Sequence, residues 1–394
     1  PSEVTRLDGL QMLGTFDQDH NGLMSLQSTI LSGAGNIDVQ GTMDRQQHFS
    51  CLFQTEKLNL RQLLNAPDLG SLIARFSLHG DLSTHTSHLS PLKDIQVEGI
   101  ISHFDYKGYP YQNIHLDGDY ADNRLSGAVS IDDPNIKLDL MGQLGNLVTK
   151  ARHDIMIDGV INHFAPAALH LSDELEEGVI SGEIHADFTA SSLNDAQGTI
   201  RISNGSLSAT TNHRAYRLDN LIVTSGYEND IHFVSLKSDF ADATIRGEFD
   251  YATLPQSIIG LVGTRLPTLP GLPPVRYDTN NNFSLRLMMS KTDWLQRFLG
   301  VDLVLRQPLM LNARVNDHTR EIYLEGDIPA FTYNGAQYAD GVVNISTPGD
   351  TLKCDVGISK LLDDGHAMTA IANVRAANNK LNTSLSWDNH NPNR

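Results

Sequence analysis

Apolar residues recur at every second position along most of this chain, a period that only an extended strand turns into one face. Leu72, Ala74, Phe76, Leu78, Gly80 and Leu82 alternate with Ile73, Arg75, Ser77, His79 and Asp81. Ile136, Leu138, Leu140, Gly142 and Leu144 repeat the pattern, as do Ile184, Ala186, Phe188 and Ala190. It continues through Ala243, Ile245, Gly247, Phe249 and Tyr251, through Phe283, Leu285, Leu287 and Met289, and through Leu309, Leu311, Ala313 and Val315. Ile322, Leu324, Gly326 and Ile328, then Leu352, Cys354, Val356 and Ile358, and finally Leu381, Thr383, Leu385 and Trp387 carry it to the end. The pattern predicts an all-β chain: a long, curled, mainly antiparallel sheet with an apolar inner face.

Within the alternation a unit recurs: apolar, any, Gly, any, apolar. Leu78-Gly80-Leu82, Val97-Gly99-Ile101, Leu116-Gly118-Tyr120, Leu140-Gly142-Leu144, Ile245-Gly247-Phe249 and Leu324-Gly326-Ile328 are examples. A glycine inside a strand weakens it, so it needs a reason: a sharp bend, or room for close packing on the backbone. Short turn signals favour antiparallel neighbours. They include Tyr106-Lys107-Gly108-Tyr109, Ala121-Asp122-Asn123-Arg124, Asp132-Asp133-Pro134-Asn135, Ser203-Asn204-Gly205-Ser206 and Ala376-Ala377-Asn378-Asn379. Short helices are expected near 58–65, 164–177 and 254–262, and one more at Thr292–Leu299. Residues 1–265 read as one continuous array, and residues 266–394 as its continuation after the Pro-rich loop Leu266–Pro274.

Lys and Arg total 29 against 47 Asp and Glu, a net charge of −18. Such a surface repels phosphate backbones and anionic headgroups, which excludes nucleic acid as a partner. With 40% apolar residues the chain can bury a core. No apolar run approaches the roughly 20 residues of a membrane-spanning helix. The sequence opens at Pro1 with no signal-peptide pattern, and is expected to be a processed chain or an internal segment. Two cysteines, Cys51 and Cys354, are too few for a disulfide scaffold or a cysteine zinc site, and leave a single bridge open.

Motifs for chemistry are missing: no HExxH, P-loop, GxGxxG, GxSxG or CxxC pattern occurs. Asp17-Gln18-Asp19-His20-Asn21-Gly22 matches the start of a calcium loop, but its twelfth position is Ser28, and its flanks alternate like strands, so a polar turn is expected. His85 and His88 form an isolated HxxH pair that reads as a solvated loop. The acidic pairs at Asp132-Asp133, Asp173-Glu174, Glu176-Glu177 and Asp363-Asp364 read as solvated turns. No enzyme activity, metal or cofactor is expected.

Several blocks, taken in order, resemble a known family. They are Leu58-Asn59-Leu60-Arg61-Gln62-Leu63-Leu64 with Asp68-Leu69-Gly70; Tyr109 to Gly118 leading to Ile131-Asp132-Asp133-Pro134-Asn135; Leu193 to Ile200; and Leu236 to Phe249. The chain is similar to a central segment of TamB-like (translocation and assembly module) proteins of the AsmA-like, repeating β-groove superfamily, in their Bacteroidota-type form. The resemblance implies a curled sheet, or β-taco, whose apolar groove carries phospholipid acyl chains across the periplasm. It implies a parent protein anchored in the inner membrane by an N-terminal helix and working with a BamA-family (TamA-like) outer-membrane barrel in outer-membrane biogenesis and protein assembly. Anchor and barrel contacts would belong to parts of the parent not present here. The groove lining expected from the alternation is Phe76, Leu78, Val97, Ile101, Leu116, Leu138, Leu140, Ile184, Phe188, Ile245, Phe249, Leu285, Leu287, Leu311, Leu324 and Val356. Gly247→Glu and Leu140→Asp are expected to block passage in a folded segment. The rival readings are a ligand-free β-sandwich or adhesin array, whose apolar faces pack on each other, and a polysaccharide-active β-helix, which requires a fixed coil period that this sequence lacks.

Overall fold

The computed structural model describes residues 10–82, 92–147, 152–172, 178–209, 216–271, 273, 279–293, 301–362 and 365–389. Strand accounts for 70% and helix for 6%, so the fold is all-β. The strands belong to one 23-stranded antiparallel sheet that is not closed. The chain divides into two compact units, Pro1–Ser191 with Ile202–Arg217 and Ser192–Arg201 with Leu218–Arg394.

Unit 1 is a meander. Its strands are β1 (Gln11–Gln18), β2 (Met24–Ser32), β3 (Gly35–Met43), β4 (His48–Asn59), β5 (Leu69–Leu82) and β6 (Leu92–Tyr106), then β7 (Tyr109–Ala121), β8 (Arg124–Asp133), β9 (Ile136–Gly145), β10 (His153–Phe164) and β11 (Gly178–Ala190). Each pairs antiparallel with the next. A five-residue helix, α1 (Leu60–Leu64), links β4 to β5. The Asn59 side chain caps it by accepting from the Gln62 amide, and left-handed Asn65 ends it. The calcium-like stretch is a hairpin turn: Asp19 Oδ1 accepts from the Leu23 amide at 2.8 Å, and Gly22 turns left-handed.

After β12 (Gln197–Ala209), unit 2 continues with β13 (Tyr216–Glu228), β14 (Ile231–Ser238), β15 (Ala241–Glu248), the helix α2 (Leu254–Gly263) and β16 (Asn282–Met289). Then come β17 (Leu303–Leu305), β18 (Leu309–Asn316), β19 (Glu321–Tyr333), β20 (Ala336–Ser346), β21 (Leu352–Leu361), β22 (Ala367–Ala377) and β23 (Lys380–Asp388). Neighbours again pair in order, except that β16 skips to β18 and β17 pairs with the far end of β19.

Three expected hairpins are two-residue turns with both residues left-handed or one followed by glycine: Lys107-Gly108, Asp122-Asn123 and Asn378-Asn379. Ser203-Asn204-Gly205-Ser206, expected as a turn, lies inside β12 instead. Asn204 is left-handed, but its amide reaches Glu183 Oε1 at 3.0 Å, so the neighbouring strand holds the backbone extended through the kink. The helices expected near 58–65 and 254–262 form as α1 and α2. The one expected over 164–177 does not: residues 165–172 make a single turn, with Leu169 donating to the Ala165 carbonyl at 3.1 Å. Left-handed His170 stops it, and the Leu171 amide returns to the Pro166 carbonyl at 2.8 Å. Residues 173–177, His85 and His88, Trp294–Leu299 and Asp363-Asp364 lie outside the described residues. Both cysteines are free thiols.

The dense cores sit where these connections fold back. In unit 1, Leu169, with no exposed surface, packs among Tyr109, Tyr111, Ile114 and Ile136. In unit 2, Leu261 of α2 packs on Phe283, Val315 and Ile322.

Candidate functional site: the apolar face of the sheet

Directly opposed residues of an antiparallel pair share a face, so register builds the site strand by strand. One row in unit 1 runs Phe53, Phe76, Gly99, Leu116, Val129, Leu140, Gly159, Ile184. A second runs Cys51, Leu78, Val97, Gly118, Gly127, Gly142, Ile157, Ala186. A third holds Ala74, Ile101, Ile114, Ile131 and Leu138, and Phe188 lies opposite Ile155 on the same face. The reverse face carries Gln54, Arg75, Ile100, His115, Ser130, Asp139, Val160 and Glu183 in one row.

Unit 2 repeats the arrangement. Val234, Ile245, Leu285, Ala313, Leu324, Ile345, Cys354 and Val374 form one row. Leu236, Ala243, Leu287, Leu311, Gly326, Val343, Val356 and Ala372 form another. Phe249 follows β15 and stacks on His232, their ring centroids 4.8 Å apart.

The expected lining residues therefore gather on the apolar face of their own unit. None is fully buried, though Ile101, Leu116 and Leu138 pack against the Leu169 core and Ile245, Phe249 and Leu285 against the Leu261 core; Val356 is 36% exposed and the other fifteen are half-buried. A sandwich would mesh these side chains with an opposing wall and bury them.

The glycines explain how bulky residues share this face. A Cβ at Gly99 would stand 2.6 Å from two ring carbons of Phe76. One at Gly159 would meet Leu140 Cδ2 at 2.2 Å, and one at Gly326 would meet Val343 Cγ1 at 2.6 Å. Large side chains thus lean across a cross-strand glycine and lie along the sheet. Gly247 differs: its φ is +136°, and a Cβ would sit 2.1 Å from the Asn282 carbonyl oxygen, so substitution there strains the backbone.

A cavity of about 390 Å³ opens on this face near the start of unit 1, lined by Phe16, Met24, Leu26, Met43, Phe49 and Cys51. These positions are not among the lining residues expected from the sequence; the signal that could find them is the alternation along β1 to β4, which glycine and serine interrupt. A concavity of about 530 Å³ lies on the reverse face, among Arg75, Glu98, His115, Asp117 and Ser130.

Electrostatics keep the apolar face neutral. Burial raises the thiol pKa of Cys51 and of Cys354, so both remain protonated and unreactive at neutral pH. Burial lowers the pKa of His232, which is stacked between Tyr227 and Phe249 with Nε2 3.0 Å from Ser225 Oγ. The Asp132-Asp133 pair is architectural. Asp132 pairs with Lys137, while fully buried Asp133 accepts from Tyr109 Oη and from the Gln112 and Asn135 amides, at 3.0 and 2.9 Å for the amides. That arrangement locks a hairpin. Among the described residues, no three His, Cys, Asp or Glu side chains gather to hold a metal, and no helix is long and apolar enough to cross a membrane.

No protein-family model, curated protein or solved structure matches the chain.

Proposed function

We propose that this chain is a lipid-conducting segment of a TamB-like envelope protein, carrying phospholipid acyl chains along its apolar face through the periplasm of a Gram-negative bacterium. The observation that supports this reading is the set of sixteen lining residues: they share the apolar face of their unit, yet none is sealed in a core. Physically, a buried methylene gains about 0.8 kcal/mol, so a tail of about sixteen carbons gains roughly 13 kcal/mol and must not meet water on its way. A row of similar apolar contacts repeated strand after strand keeps that energy nearly level along the path, so a tail slides without a large barrier. The polar reverse face holds the sheet in water. In this reading the segment is not a catalyst, and the inner-membrane anchor and the BamA-family barrel engage other parts of the parent protein.

Photo-crosslinking tests it. A benzophenone amino acid at Leu78, Leu140, Ile245 or Leu324 is expected to capture phospholipid in cells, and at Arg75, Asp139, Arg246 or Glu325 to capture little. Equal capture from both faces removes the reading. Leu140→Asp is the functional companion: it puts a carboxylate into the lining at a half-buried position and is expected to stop transfer in a folded protein. Gly247→Glu is unsuitable, because its backbone conformation makes it a folding test.

A further inference from the structure

We infer that the reverse face of unit 2 binds a linear glycan with a carboxylate on every second sugar, laid across strands β18 to β22. The site lies opposite the apolar face, and the inference does not depend on the lipid reading.

Register sets Ser284, Arg314, Tyr323, Ser346, Lys353 and Arg375 side by side in one row across neighbouring strands. The chain as a whole carries −18, yet this row has three cations and no carboxylate. The reverse-face row of unit 1 that holds Arg75 has the opposite balance, with Asp139 and Glu183 in it. Among the described residues, the side chains of Arg314, Ser346, Lys353 and Arg375 make no hydrogen bond or ion pair within the chain. Arg246 extends the row beyond Ser284 but is tied to Glu228 at 2.6 Å.

A concavity of about 450 Å³ opens over this row, with Asn282, Arg314, Asn316, Glu321, Tyr323 and Ser346 in its wall. Tyr323 is 49% exposed, and its hydroxyl donates to Glu325 Oε2 at 3.0 Å, which steadies the ring. An exposed, anchored ring offers its apolar face to the C–H side of a sugar. Asn282, Asn316 and Ser346 offer amide and hydroxyl groups to the sugar hydroxyls. The Arg314 guanidinium matches a carboxylate through two parallel hydrogen bonds.

Spacing selects the occupant. A pyranose unit lengthens a glycan by close to one strand spacing, about 4.8 Å, so a glycan laid across the sheet places one sugar on each strand. Arg314, Ser346 and Arg375 stand on β18, β20 and β22, at every second sugar. Glu321 and Glu325 flank Tyr323 on β19, and Asp355 follows Lys353 on β21. A densely charged polymer would meet these carboxylates between the cations and be repelled. An extended peptide adds to the unpaired backbone of a sheet edge, whereas β18 to β22 are each paired on both sides.

Calorimetric titration of the 394-residue chain with a hyaluronan hexasaccharide, in which glucuronate alternates with N-acetylglucosamine, tests the inference. Far-ultraviolet circular dichroism confirms that each variant is folded. The wild type is expected to bind this sugar, and to bind the uncharged chitin hexasaccharide at least about tenfold more weakly. R314A is expected to weaken the acidic sugar about tenfold by removing a charge-assisted pair. R314K restores only part of that, since an ammonium cannot pair through a planar fork. Y323A is expected to weaken both sugars severalfold, and R75A, in unit 1, to bind like the wild type. No binding of the acidic hexasaccharide, equal binding of the uncharged one, an equal loss from R75A, or a polyglutamate peptide bound as tightly as the acidic sugar overturns the inference.

Discussion

In unit 1 the fold-back that covers the strand ends is apolar. Leu169 enters a nest of Tyr109, Tyr111, Ile114 and Ile136, with Tyr106 and Phe104 stacked at its edge. In unit 2 the corresponding task falls to α2, which is strapped by polar groups. Asn281, 1% exposed, donates to Ser257 Oγ at 2.7 Å and to Thr253 Oγ1 at 3.1 Å, and its oxygen accepts from the Asp250 amide at 2.8 Å. Asp317 accepts from Ser257 Oγ at 2.8 Å and from the Asn281 amide at 2.9 Å. Arg265 then ties the helix end to the Leu261 and Arg320 carbonyls, both at 3.0 Å. One turn of chain has few orphaned backbone groups, so a single leucine secures it. A helix leaves unpaired amides and carbonyls at its ends, and burying them calls for a network.

The largest effect should come from the apolar cap. Leu169→Ala is expected to cost roughly 2–5 kcal/mol by opening a cavity in a fully packed site. Native-state hydrogen exchange should show faster opening of β7 and β9 and no change in β16 and β18. A shift shared equally by both units would dissolve the distinction between them.

Asn281→Ala should do the reverse. It leaves the Asp250 amide unpaired and removes one of the two hydrogen bonds of Ser257 Oγ, at about 1–3 kcal/mol, and exchange should quicken around α2 while β7 and β9 stay protected.

Smaller still is the effect of crowding the lining. Gly99→Ala forces the Phe76 ring off the sheet and is expected to cost about 1 kcal/mol. Gly118→Ala should be tolerated, since the nearest atom to its Cβ, the Ser126 carbonyl oxygen, is 3.6 Å away. Paired unfolding midpoints in urea check the difference.

The smallest effect is in pH and belongs to unit 2. The His232 pKa lies below the ordinary 6.5, so as pH falls the unfolded chain takes up this proton before the folded one. Its stabilising contribution is whole above 6.5 and declines as pH drops from there toward the lowered folded value. His232→Phe keeps the stack with Tyr227 and Phe249 without the titration. The gap between wild type and variant in thermal midpoint should therefore widen in acid.

Much of this fold was legible in the chain. Period-two alternation identified the strands and assigned Leu140 and Ile245 to the apolar face, because a strand has only two sides. Turn chemistry located Asp122-Asn123 and Asn378-Asn379, where the backbone must turn left-handed. The same signal misled at Asn204, since a left-handed asparagine serves a kink as well as a turn and only the strand beside it decides. The helix expected over 164–177 failed for a related reason: its alanines and leucines favour a helix, but the energy lies in sinking Leu169 among tyrosines distant in sequence. Asp133 was unreadable as a lock, because its partners Tyr109 and Gln112 arrive from another strand.

The sequence by itself determined which residues share a face, and that the chain is built of strands, because alternation is a local property of the extended backbone. Only the tertiary structure decided how that face is covered: where Leu169 and α2 close it, and where Phe76 lies down over Gly99. Those outcomes depend on contacts between segments far apart in the chain, whose energies no local pattern records.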